Sequence, residues 1–144
     1  MIKILNLPKT LSLKFFISFT MLIALQFNLS LPANAKRLAL IIGNDLYANV
    51  TPLKKAVNDA DAISNTLNDL GFQTHLHSNL NRRSMNAALA EFTNEIEKGD
   101  EVLFFFSGHG ISVRGENYLL PTDVPKVAPG QEGFITREAF SENE

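Results

Sequence analysis

The sequence predicts an α/β fold with a mostly parallel sheet. Three observations predict it. Val102–Phe106 is an uninterrupted apolar run that ends in Ser107-Gly108-His109-Gly110, as expected for a buried strand followed by a turn. Arg37–Ile42 is a second largely apolar run, closed by Gly43-Asn44-Asp45. Segments with helical spacing separate the strand candidates, so the order is strand, helix, strand, helix, strand with short connections.

The first 35 residues are expected to lie outside this fold. Lys3, Lys9 and Lys14 form a positive leader, Phe15–Leu25 is an uncharged apolar stretch, and Ala33-Asn34-Ala35 is an A-x-A cleavage site. The pattern is that of a secretory signal peptide cleaved after Ala35, which implies a periplasmic or secreted protein. The apolar stretch is shorter than the ~20 residues a membrane span needs, so no stable membrane association is expected after cleavage. The leader holds three lysines and no acidic residue. Its removal takes the net charge from −2 to −5, without the basic patch that nucleic-acid binding requires.

Arg37–Ile42 reads as the first buried parallel strand. Leu53–Leu70 has helical spacing, with Ala56, Val57, Ala60, Ile63, Leu67 and Leu70 on one face. Gly71 suits the position that closes a helix. Phe72–His77 alternates and reads as a more exposed strand. It places Phe72, Thr74 and Leu76 on one side, and Gln73, His75 and His77 on the other. His75 and His77 could share a metal, but two donors do not make a site, and the polar face of an edge strand explains them better. Asn81 is placed to cap a second helix carrying Met85, Ala88, Leu89, Phe92 and Ile96, which should stop at Gly99.

The third strand, Val102–Phe106, should be buried on both faces and should deliver His109 to the carboxyl end of the sheet. Open parallel sheets carry their chemistry at that end. Histidine is the side chain whose unperturbed pKa best suits proton transfer near neutral pH, and His109, set between two glycines, is the leading catalytic candidate. Ile111–Val113 and Asn117–Leu120 flank Arg114-Gly115-Glu116 as a hairpin ended by Pro121. Lys126–Gly133 reads as loop, and Thr136–Glu144 as the start of a helix.

Three segments together resemble the caspase-like cysteine peptidases of the C14 clan, in particular the exported, metacaspase-related bacterial branch. Arg37–Asn44 resembles their first strand, and Val57-Asn58-Asp59-Ala60 the start of their first helix. Val102–Gly110 followed by Glu116–Asp123 resembles their catalytic-histidine strand and hairpin. The resemblance covers residues 36 to about 124. It implies a three-layer α/β/α sandwich, here the front part of the large-subunit domain (36–144) and incomplete at its C-terminal side. It further implies peptide or protein substrates and no cofactor.

In such enzymes a cysteine thiolate attacks the scissile carbonyl and a histidine manages the protons. By position His109 matches that histidine, and the Gly110 backbone N–H matches the oxyanion donor. Asp59 matches the aspartate that helps bind a basic residue before the cut. On residues alone it is equally a solvated first-turn aspartate, favourable to the helix dipole. Aspartate-specific caspases place an arginine before this segment, and Thr51–Lys55 has none. The aspartate pair that binds calcium in some metacaspases has no counterpart in Gly133–Glu138.

The departure is the nucleophile. There is no cysteine in the chain. In caspases the cysteine follows the histidine by about 50 residues, and Glu144 lies 35 positions past His109. The expectation is a chain that stops before its cysteine strand. That strand's absence leaves an apolar edge at Val102–Phe106, open to self-association. A non-catalytic module that binds peptides through the same cleft is the alternative. A nucleotide-binding domain is disfavoured, because Gly43-Asn44-Asp45 lacks the glycine-rich phosphate motifs.

Overall fold

The computed structural model describes residues 35–141. The expected signal peptide lies, apart from Ala35, outside the described residues. Two three-stranded sheets are formed. The first is parallel and holds β1 (Arg37–Gly43), β2 (Gln73–Ser78) and β3 (Glu101–Ser107) in the order β2-β1-β3. Helix α1 (Ala56–Asp69) connects β1 to β2, and α2 (Arg82–Glu95) connects β2 to β3.

β1 is the centre of the molecule. Its residues from Leu38 to Ile42 are fully buried. Burial of a Leu or Ile side chain contributes about 1.5–3 kcal/mol relative to exposure. Strand alternation splits this run between two cores. Leu38, Leu40 and Ile42 pack with Met85 and Phe92 of α2, while Ala39 and Ile41 pack with Ala60 and Leu67 of α1 and with Phe72. The two helices therefore cover opposite faces of the sheet. Gly43 is forced by the approach of α1, because a Cβ there would lie 2.7 Å from the Ala56 carbonyl oxygen.

α1 begins at Ala56, three residues later than its apolar spacing predicts. Asp45 sets that start: its Oδ1 accepts the Ala56 N–H at 2.8 Å and its Oδ2 accepts the Val57 N–H at 3.2 Å. The helix ends as predicted at Gly71, which has φ +82°. The Gly71 N–H reaches the Asn68 carbonyl and the Phe72 N–H reaches the Leu67 carbonyl, the paired bonds of a Schellman motif. Leu70, predicted on the buried face, is instead 57% exposed, because it is the capping residue and has turned off the helix. Asn81 caps α2 as predicted, accepting the Ser84 N–H at 2.8 Å. This helix closes at Glu95 rather than Gly99, and Ile96 turns extended and partly exposed.

β3 lies at an edge of the sheet, and it departs from expectation in not being buried on both faces: Val102 and Phe104 are each 44% exposed. β3 residues share a face with the β1 residues they pair with, so Val102 and Phe104 lie on the α2 side, beside Leu38 and Leu40. The core on that side closes over β1 and reaches Phe106 at the end of β3. Leu103 and Phe105, on the α1 side, are partly buried.

The second sheet follows directly. β4 (Gly110–Val113) and β5 (Glu116–Leu119) form an antiparallel hairpin, and β6 (Phe140–Ser141) pairs with β5. The hairpin turn is Arg114-Gly115, with φ +54° and +87°. Two positive φ values match the twist of a two-residue hairpin loop. The helix expected from Thr136 onward is replaced by a 3-10 helix over Glu132–Arg137 and the short β6. Ile135 and Ala139 anchor this tail in a third core with Tyr47, Leu120 and Val124. Among the described residues, no helix is long and apolar enough to cross a membrane.

Candidate active site

The carboxyl ends of β1, β2 and β3 deliver three connections to one edge of the parallel sheet. Asn44, fully buried, ties them together. Its backbone N–H donates to the Ser107 carbonyl at 2.9 Å. Its side chain accepts the Leu80 N–H at 2.8 Å and donates to the Leu120 carbonyl at 3.3 Å. Asn79, in the left-handed region at φ +55°, which asparagine tolerates, accepts the N–H groups of Asp45 and Leu46 at 2.9 Å each. Buried polar groups are thus satisfied by residues from different loops, which fixes the loops relative to one another.

This framework holds Tyr47 against His109. The Tyr47 hydroxyl accepts the His109 backbone N–H at 2.8 Å and donates to the Leu120 carbonyl at 3.2 Å. The two rings lie 4.6 Å apart between centroids, tilted by 60°. Burial pushes the Tyr47 phenol above its ordinary pKa, which keeps it a neutral donor. Gly108 is required by this closeness: a Cβ there would meet both the Tyr47 hydroxyl and the Phe106 ring at 2.6 Å.

The imidazole has one further partner. His109 Nε2 lies 2.7 Å from the Thr51 carbonyl oxygen. A carbonyl only accepts, so the proton belongs on Nε2, and Nδ1 of the neutral ring then carries the lone pair. Thr51 thus selects the tautomer in which Nδ1 serves as proton acceptor. Gly110 opens β4 opposite Leu119. The Leu120 N–H bonds to the His109 carbonyl at 3.0 Å, which makes Gly110–Leu119 a non-hydrogen-bonded pair. The ladder does not use the Gly110 N–H, which stands one residue from the imidazole on an exposed position.

Asp59 sits exposed on the first turn of α1, at the same end of the sheet. Among the described residues, no hydrogen bond or ion pair joins it to His109. His75 and His77 share one face of β2. His75 turns to α2, edge-on to Phe92 at 5.5 Å, with Nε2 3.2 Å from Glu95 Oε2. No group of three or more His, Asp or Glu side chains among the described residues is placed to hold a metal ion. A cleft of about 350 Å³ at the far end of the hairpin is lined by Val113, Arg114, Glu116, Tyr118, Gly133 and Thr136, and excludes His109.

Sequence reasoning singled out His109 and Gly110 but not Tyr47 and Thr51, which lie in the connection between β1 and α1. No local pattern marks either residue, since Leu46–Leu53 mixes apolar and polar side chains. Their partners are 62 and 58 positions away.

Comparison with known proteins identifies the family. The family described as Caspase domain matches residues 36–143. The chain is 31% identical over 94 residues to the mucosa-associated lymphoid tissue lymphoma translocation protein 1 of Homo sapiens, and 32% identical over 100 residues to Caspase-1-B of Xenopus laevis. These alignments cover 65% and 68% of this chain, but 11% and 25% of the relatives. Caspase-1-A of Xenopus laevis is 38% identical over 65 residues, 45% of this chain and 17% of that protein. The chain thus spans about a tenth to a quarter of the length of the relatives it matches, and it belongs to the caspase-domain family.

Proposed function

We propose that this chain is the histidine-bearing front part of a caspase-like cysteine endopeptidase domain, of the exported, metacaspase-related kind. The observation that carries this reading is the fixed imidazole of His109. Its Nε2 is committed to the Thr51 carbonyl, its backbone is clamped by Tyr47, and the Gly110 N–H stands beside it. In thiol acyl transfer, Nδ1 would take the proton of the attacking thiol and return it to the leaving amine, while Gly110 would stabilise the oxyanion. Asp59 would attract a basic side chain before the scissile bond. The complete domain would be a three-layer sandwich, extended beyond β3 by a strand carrying the nucleophile.

The sequence contains no cysteine, so the chain as it stands has no thiolate and is inactive in this reading. Purified protein should not turn over Arg- or Lys-based fluorogenic peptides. Turnover that disappears in His109→Ala would overturn the proposal of inactivity. The missing cysteine also favours a second reading, a non-catalytic module that binds peptides in the same cleft. The two separate on the coding sequence past codon 144. An in-frame Asp-x-Cys after another apolar strand supports the peptidase, and its absence supports the binding module. In either case the chain is exported, cleaved after Ala35, and acts in the periplasm or outside the cell.

A further inference from the structure

Lys36 opens the caspase-domain match and enters β1 through an acidic loop. Its backbone nitrogen donates to Asp100 Oδ1 at 2.8 Å, and its carbonyl accepts the Glu101 N–H at 2.8 Å. Its side-chain Nζ reaches Glu97 Oε1 at 3.1 Å and the Glu95 carbonyl at 3.4 Å. The other carboxylate oxygen of Asp100 accepts the Glu97 N–H at 2.9 Å. One carboxylate therefore bridges the start of β1 and the loop that leads into β3.

We infer that cleavage after Ala35 turns this contact into a charged latch, in which the new α-ammonium of Lys36 pairs with the Asp100 carboxylate and fastens the start of β1 to the start of β3. While residue 35 is attached, the Lys36 nitrogen is a neutral amide with one hydrogen. After cleavage it is a cation with three, at the same position. A charge-assisted hydrogen bond is about twice as strong as a neutral one. The precursor lacks this charge and the processed chain has it, so processing strengthens the contact between the starts of β1 and β3.

The charged groups around the site agree in sign. Asp100 and Glu97 face the Lys36 nitrogens from the loop, and Glu95 adds its charge from the end of α2. Arg37 and Glu101 pair with each other alongside at 2.6 Å. His75 offsets Glu95 only when protonated. The bonds from Glu97 and then Lys36 hold Asp100 below the usual carboxylate range.

The inference rests on the proposed cleavage site and not on the peptidase reading, and the test separates them. The full chain, with its own leader, is expressed in an exporting bacterium, and the processed protein is recovered. Mass spectrometry of its first peptide should begin at Lys36; any other terminus overturns the latch. The pH profile of α-amine acylation by an N-hydroxysuccinimide ester then gives the titration midpoint of the terminus. The same protein unfolded in urea is the reference, where the ordinary α-amino range of about 7.7–8.0 applies. The folded midpoint should stand higher by up to about one unit, a roughly tenfold slower reaction near pH 7. Asp100→Asn should return it to the reference. If that variant does not fold, the folded wild type in 1 M salt should show the same return, since the screening length falls to about 3 Å. Equal midpoints in folded and unfolded protein, or a raised midpoint indifferent to both Asp100→Asn and salt, would overturn the proposal.

Discussion

The Tyr47 hydroxyl sits 2.8 Å from the His109 backbone nitrogen and accepts its hydrogen, while the Tyr47 ring packs against the imidazole. One residue thus satisfies the backbone and orients the side chain of the candidate base. Tyr47→Phe keeps the ring and removes the acceptor. It leaves the His109 N–H and the Leu120 carbonyl without this partner, at a cost of about 1–3 kcal/mol, read as a lower urea midpoint with unchanged slope. Tyr47 also gives an alkaline limit. Its folded pKa is raised, so its contribution is complete below the ordinary tyrosine pKa of about 10 and is lost as pH rises through the folded value. Melting temperature should fall across that range in wild type and change less in Tyr47→Phe.

Gly108→Ala tests the close approach behind the histidine. The new methyl would lie 2.6 Å from the Tyr47 hydroxyl and from the Phe106 ring, both held in packed cores. Overpacking of this kind costs about 1–3 kcal/mol. The His109 imidazole resonances should shift as the Tyr47 ring is displaced. Wild-type stability together with unmoved His109 resonances would show that the loop yields freely.

Asp45 caps α1 across a loop, accepting from Ala56 and Val57. Asp45→Ala should cost about 0.5–2 kcal/mol, and Asp45→Asn should recover much of it, because asparagine caps nearly as well. Thermal denaturation of the two variants checks the order. Equal loss in both would place the effect in the charge rather than in the cap.

The exposed face of β3 makes self-association the expected behaviour of this chain. Val102 and Phe104 are each 44% exposed, beside a strand edge that no other strand among the described residues covers. Such edges template pairing with other chains. Sedimentation should show concentration-dependent association, and Phe104→Lys should reduce it severalfold with little loss of stability. A clean monomer at all concentrations, in wild type and variant alike, would remove this edge as an interface.

By itself the sequence determined the order of elements through β5, most of the two helix faces, the Gly71 and Asn81 caps, the hairpin, and the delivery of His109 to the carboxyl end of a strand. These are local properties, carried by apolar periodicity and by residues a few positions apart. The sequence also carried the family, because the motifs around Arg37–Asn44, Val57–Ala60 and Val102–Gly110 are contiguous. Only the tertiary structure decided what holds the histidine. Tyr47 and Thr51 reach it across 62 and 58 positions, and Asn44 reaches Leu120 across 76. A hydrogen bond between residues so far apart depends on the packing of both sheets and leaves no periodic trace in the chain. The same reason explains β3. An apolar run states that a strand is to be covered, but its neighbours in the sheet decide which face is, and on the α2 side the core closes over β1 and leaves Val102 and Phe104 partly open.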